Sequence, residues 1–108
     1  LRTARALQED GDALDSLAAQ ALRATATDRG LAVAPLSALP PAVRLRTIRA
    51  WLLAGGARNL TNTQIRGVDA LVVSWRGQGG VAVGSALRQA RMFAERHDGI
   101  LRLRGEAL

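Results

Sequence analysis

Residues 75 to 84 read WRGQGGVAVG, four glycines behind a tryptophan and an arginine, the composition of a loop that cradles a phosphate. Such a cradle needs a strand leading in and a helix starting behind the glycines, so that backbone N–H groups and the helix dipole converge on the anion. The order here is reversed, with a helix expected to stop at Gly77 and a short strand to begin at Val81. The glycines therefore read as a helix stop and a sharp change of direction, with Trp75 in the core and Arg76 at the surface. Other catalytic chemistry is scarce. His97 is the single histidine and sits beside Asp98 in an expected turn, a poor place for a general base. No cysteine or second histidine can complete a transition-metal site. Glu9, Asp10, Asp12 and Asp15 have the spacing of a helix face and lack the glycine-centred loop of a calcium site. Without lysine there is neither a Walker lysine nor a Schiff-base amine, so the sequence does not read as a self-contained enzyme.

What remains is arginine. All fifteen basic residues are arginine, and they are unevenly spread. Residues 1–30 carry five acids against four arginines, whereas the remainder holds eleven arginines against Asp69, Glu95, Asp98 and Glu106. Between Leu31 and Val68 there is no acid at all, while Arg44, Arg46, Arg49, Arg58 and Arg66 lie there. Guanidinium groups suit bidentate phosphate contacts, and a basic stretch of this kind attracts polyanions, RNA or DNA above all. A solvated positive face with no partner is the competing reading.

These arginines need elements to hold them. Leu7, Leu14, Leu17, Ala18 and Ala21 keep to one side of a helix over about Thr3 to Ala24, with the acids opposite. In SALPPAVRLRTIRAWLLAGG a proline pair suits the first turn of a second helix and a glycine pair its end. Val43, Leu45, Thr47, Ile48, Trp51 and Leu52 share one broad arc of it, and Arg46 with Arg49 fall together on the other side, able to face one phosphate. Arg44 falls inside the apolar arc, so it either snorkels or pairs within the fold. Thr61 and Gln64 have capping-box spacing, and Leu60 with Ile65 the staple positions, which starts a third helix near Asn62. Along it Ile65, Val68, Leu71, Val72 and Trp75 recur on one face, with Arg66 and Asp69 as an exposed pair. Then VAV is β-prone, and MFAERHDGILRLR reads as two strands about an Asp98-Gly99 turn, with Met92, Phe93, Ile100, Leu101 and Leu103 on the buried face. Residues 86–95 also suit a helix; a strand from about Arg88 is preferred because ILRL needs a partner. The fold expected is mainly α with a small antiparallel β-sheet: a long N-terminal helix, two further helices, then a strand and hairpin.

At 108 residues the chain is one domain's worth, and 48% hydrophobic residues suit a packed core. No apolar run is long enough for a membrane span, no signal peptide opens the chain and cysteine is absent, which together predict a soluble, cytoplasmic protein. A start at Leu1, already inside a helical pattern, reads as a piece of something longer.

The segments LPPAVRLRTIRAWLLAGGARNLTNTQIRGVDALV and WRGQGGVAVGSALRQARMFAERHDGILRLR, behind the helix LRTARALQEDGDALDSLAAQA, resemble the region that follows the catalytic domain in tRNA(Ile)-lysidine synthetases. The shared pattern is a leucine-proline helix start, a helix of the form R-x-x-I-R-x-W-L, a helix opening L-T-x-x-Q-I and a closing hairpin, and it covers essentially the whole chain. The resemblance implies an ATP-dependent ligase that adenylates the wobble cytidine of an isoleucine tRNA and joins lysine to it. That family's SGGxDS nucleotide-binding motif is not in this sequence, so ATP is expected in a catalytic domain outside it and no cofactor within it. Residues 1–30 are then a connecting helix and linker, and residues 31–108 an accessory domain that holds the tRNA. Arg46 and Arg49 match the family's helix pattern, Arg44 lies within it, and Arg66, Arg76, Arg88 and Arg91 are added from charge alone as candidate tRNA contacts. The partners expected are isoleucine tRNA and the protein's own catalytic domain, and a homodimer is left open. Two other classes fit some of the residues: a winged-helix DNA-binding domain, from three helices and a basic hairpin, and a structural module that dimerises through the alanine-rich first helix.

Overall fold

In the computed structural model, residues 3–107 are described; Arg2, counted above among the basic residues, lies outside them. Helix α1 spans Ala4–Thr25, started by Thr3, whose hydroxyl accepts the Ala6 N–H at 3.1 Å. Its buried residues are Ala18, Ala21 and Thr25, with Leu14 and Leu22 half-buried, a true helix face. Leu7 and Leu17, expected on that face, are exposed. The stripe is turned slightly because small alanines let α1 lie close on the second long helix.

The chain then forms two strands that the sequence reading did not foresee. Strands β1 (Ala26–Thr27) and β2 (Gly30–Ala32) pair about Asp28 and Arg29, where the Thr27 hydroxyl donates to the Gly30 carbonyl and accepts the Arg29 N–H. Gly30 is required: its φ is +144°, and a Cβ there would meet the Leu101 carbonyl oxygen at 1.8 Å. A short helix, α2 (Val33–Ser37), follows and buries Val33 and Leu36.

Helix α3 (Pro41–Ala54) begins on Pro41 and stops at Gly55. Its expected arc is observed, with Val43, Thr47, Ile48 and Leu52 buried and Leu45 and Trp51 half-buried. Helix α4 (Asn62–Val73) opens with the complete capping box: the Gln64 N–H donates to the Thr61 hydroxyl at 3.1 Å, and the Thr61 N–H to the Gln64 side-chain Oε1 at 3.0 Å. It ends at Val73 rather than at Gly77, four residues earlier than the glycine signal indicated.

Strands β3 (Val81–Val83), β4 (Ala90–His97) and β5 (Ile100–Ala107) complete an antiparallel sheet of order β1-β2-β5-β4-β3. The β4–β5 turn is Asp98-Gly99, both at positive φ, as the hairpin signal requires. The ambiguous segment resolves as strand from Ala90, with Arg88 in the turn before it. Register decides which side chains reach the core. Ala94 faces Leu103, and Arg96 faces Leu101, on the buried side; Phe93 faces Arg104, and His97 faces Ile100, on the other. Phe93 and Ile100 therefore leave the buried face proposed for them, because two residues of opposite parity cannot share a side with Met92, Leu101 and Leu103.

The core joins Leu31, Leu36, Ile48, Leu52, Val68, Leu71, Ala94 and Leu101, so every element except β1 contributes to it or packs against it. Among the described residues no helix is long and apolar enough to cross a membrane.

Candidate nucleic-acid interface

The seven arginines singled out by sequence do not gather in one cleft. Arg44 is withdrawn from solvent: Nε donates to Asp69 Oδ1 at 2.6 Å, Nη2 to Oδ2 at 3.2 Å, and Nη1 to the Leu39 carbonyl at 3.1 Å. Both partners are 8% exposed. The hydrogen bond to Asp69 outweighs burial and holds the Arg44 guanidinium above its ordinary value, so it stays charged. Asp69 is thus not the exposed neighbour of Arg66 that its spacing suggested, and Arg44, buried with three of its five N–H donors engaged, is out of reach of a phosphate.

Arg46 and Arg49 do share a side of α3, but α1 lies along it. With Asp15, Ala18, Ala19, Leu22, Ala50 and Leu53 they line a shallow groove between the two helices. There Arg46 Nε donates to Asp15 Oδ1 at 3.2 Å, an exposed pair that an arriving phosphate can exchange at little cost. Arg49 is exposed and, among the described residues, has no acidic partner.

A second group forms where the end of α3 meets the segment before β4. The Arg58 N–H donates to the Gly84 carbonyl at 2.9 Å, the Ala86 N–H to the Gly56 carbonyl at 3.0 Å, and Ala57 bridges Ser85. These bonds bring the turn that carries Arg88, and Arg91 just beyond it, to the C-terminal end of α3. Arg58 itself, assigned by sequence only to the basic stretch, donates Nη1 to the carbonyls of Leu53 and Ala57 and so caps α3. The approach depends on Gly84, where a Cβ would meet the Arg58 carbonyl oxygen at 2.1 Å. Gly84→Ala should force the two backbones apart, at about 1–3 kcal/mol, and lower the melting temperature by roughly 5–15 °C. A differential scanning calorimetry trace that matches the wild type would mean that the two segments do not touch.

Arg66 is exposed on α4, one residue before Gly67, which packs on Val81. Arg76 is exposed in the glycine loop between α4 and β3. Arg66, Arg76, Arg88 and Arg91 have no acidic partner among the described residues. By contrast Arg102 and Arg104, on the outer face of the hairpin, converge on Glu95, and Arg104 also reaches Glu106. Partial burial pushes the Glu95 carboxyl up, but the hydrogen bonds from Arg102 and Arg104 outweigh it and hold that carboxyl below the usual range. Within residues 31–107, five exposed arginines that meet neither an acid nor a backbone carbonyl among the described residues, rather than the full count of fifteen, are what this surface offers to a polyanion; Arg23 and Arg29, before them, are likewise exposed and unpaired.

The glycine loop does not fit a nucleotide. It follows the C-terminus of α4, so the dipole presents its negative end, and the carbonyls of Ala70 and Ser74 accept from Gln78 Nε2 at 3.3 Å each. Among the described residues no group of histidine, aspartate and glutamate is arranged to hold a metal ion.

Trp75 is the largest departure from the sequence reading. Expected in the core, it is 41% exposed, with the Arg96 guanidinium carbon 4.9 Å from the ring centre. Its partner lies 21 residues on and on another element, so no local spacing announces it.

Comparison with known proteins places this surface in a family. The model of the TilS substrate binding domain matches residues 31–99. The tRNA(Ile)-lysidine synthase of Mycobacterium tuberculosis H37Rv is 62% identical over 109 residues, which cover 97% of this chain and 34% of that protein. Those of Mycobacterium leprae and Rhodococcus erythropolis are 60% and 51% identical, over 94% and 93% of this chain and 32% and 31% of theirs. The chain thus spans about a third of the length of these curated relatives, and no solved structure matches it. With a family model over most of its length and relatives of this identity, the chain belongs to the TilS substrate-binding domain family.

Proposed function

We propose that this chain is the tRNA-holding domain of a tRNA(Ile)-lysidine synthase, and that it positions isoleucine tRNA while a catalytic domain elsewhere in the protein uses ATP to join lysine to the wobble cytidine. The single observation that carries the reading from family to mechanism is the set of exposed arginines within residues 31–107 whose side chains meet neither an acid nor a backbone carbonyl among the described residues: Arg49, Arg66, Arg76, Arg88 and Arg91. They stand on α3, on α4, in the glycine loop and at the start of β4, which suits the backbone of a large folded RNA better than a small ligand. Contacts of this type fix orientation and carry little sequence information, so discrimination of the wobble base falls to the catalytic domain. Cytoplasmic residence, where tRNA is modified, goes with the same reading. Arg44 is not part of this surface, and Arg46 joins it only by exchanging Asp15 for a phosphate.

The test is a titration of the chain with isoleucine tRNA, a second tRNA and duplex DNA across a range of salt concentrations. The two tRNAs should bind with closely similar affinity and steep salt dependence, and duplex DNA more weakly. Preference for duplex DNA would replace the reading with a DNA-binding one. Failure to bind any of them would leave the chain a structural module.

A further inference from the structure

We infer that Trp75, backed by Arg96, is a stacking site for one unpaired nucleobase of the bound RNA, with Arg76 beside it to hold the adjoining phosphate. The inference rests on the RNA reading above and adds to it a defined subsite. An exposed indole loses the burial that normally stabilises tryptophan, and here the surrounding structure keeps it in place. Arg96 lies on the buried side of β4, where its Nη1 donates to the Leu71 carbonyl in the last turn of α4 at 3.0 Å. The guanidinium is thereby fixed against the negative end of the helix dipole, with its Cζ 4.9 Å from the ring centroid. Gln78 clasps the loop from the other side: its Oε1 accepts the Arg76 N–H at 2.8 Å while its Nε2 holds the Ala70 and Ser74 carbonyls. Gly77, at a φ of +84°, turns the chain away, and a Cβ at Gly77 or Gly79 would find nothing within 4 Å. The ring therefore stands at an open, preorganised edge.

The chemistry around it selects the ligand. From Ala70 to Ala94 there is no acid, Arg96 lies against the ring, and the exposed Arg76 is the next residue along the chain. An aromatic plane backed by one cation, with a second next to it in sequence, suits a base with its phosphate, since stacking accepts any base and the arginine meets the backbone. Paired bases within a helix present only their edges, so the ligand is a nucleotide from a loop or a single-stranded end.

The experiment uses the chain with Trp51→Phe, so that emission reports Trp75 alone, and a transcript of isoleucine tRNA beside a blunt RNA duplex with no unpaired nucleotide. Anisotropy of labelled RNA measures binding independently. At equal occupancy the tRNA should quench Trp75 by more than half and the duplex should not. In the otherwise native chain, Trp75→Ala should weaken tRNA binding about ten- to a hundredfold, leave duplex binding unchanged, and be largely rescued by Trp75→Phe. If tRNA binds without quenching and Trp75→Ala binds as the wild type does, or if tRNA and duplex weaken equally, the stacking site is wrong while the RNA reading stands. If no RNA binds in the anisotropy measurement, both fall together.

Discussion

Asp69→Ala should cost the domain about 3–5 kcal/mol, because it strips a buried guanidinium of its counter-charge. Against a total stability of about 5–15 kcal/mol for a domain of ordinary size, this removes a third or more of what holds the fold. Arg44 cannot turn to water: it is 8% exposed, and its third hydrogen bond goes to the Leu39 carbonyl in the turn before α3. The pair therefore ties three places together, the 38–40 turn, α3 and α4, and its loss should loosen all of them at once. Urea unfolding of Asp69→Ala should show a midpoint far below that of the wild type. Arg44→Met with Asp69→Leu should recover most of the difference, since the ion pair costs desolvation that an apolar pair avoids. An unfolding free energy for Asp69→Ala within about 0.5 kcal/mol of the wild type, the usual range for exposed sites, would mean that the pair is solvated. Substitution of the other partner separates structure from function. Arg44→Ala should reduce RNA binding only as far as it unfolds the chain, unlike any of the exposed arginines.

Why this pair was not legible in the sequence is instructive. Asp69 stands three residues after Arg66 on α4, and local spacing joins them; the true partner is 25 residues away on α3. Periodicity puts Arg44 inside the apolar arc of α3, but it sets Asp69 beside Arg66 on the outside of α4 and cannot say that Asp69 turns inward to meet Arg44. The features that did read correctly were those decided within a few residues: the Thr61–Gln64 capping box, the Pro41 helix start, the Asp98-Gly99 turn and the arc of α3. Elements too short to show a period escaped, namely β1, β2 and α2, none longer than five residues. The candidate site followed the same division. Exposure of Arg49 and Arg66 could be read from helical spacing and that of Arg76 from the glycine loop, whereas Arg88 and Arg91 had only their charge to mark them. The covering of the Arg46 side by α1, the approach of Arg88 to the end of α3 through Gly84, and the stacking of Arg96 on Trp75 each depend on contacts between distant segments.

Replacing Arg49, Arg66, Arg76, Arg88 and Arg91 together by alanine should lower the salt slope of tRNA binding by up to about five units. At physiological salt the affinity should fall on the order of a thousandfold or more, if each lost charged contact contributes about 1 kcal/mol. Stability should change little, since all five side chains are exposed and none is tied to an acid among the described residues. The formal net charge would drop from +6 to +1, so a loss of affinity by itself could reflect nothing more than weaker long-range attraction. A matched pair of variants removes that ambiguity. Arg49→Ala with Arg88→Ala and Arg102→Ala with Arg104→Ala each remove two charges, but Arg102 and Arg104 are already engaged by Glu95 and Glu106. Diffuse attraction depends on total charge and would shift both slopes equally, whereas an interface counts only the phosphates actually neutralised. The first pair should therefore lower the slope by about two units and the second by less than one. Equal slopes would show that the chain attracts RNA without holding it, and a domain that only attracts cannot present one cytidine to a catalytic site.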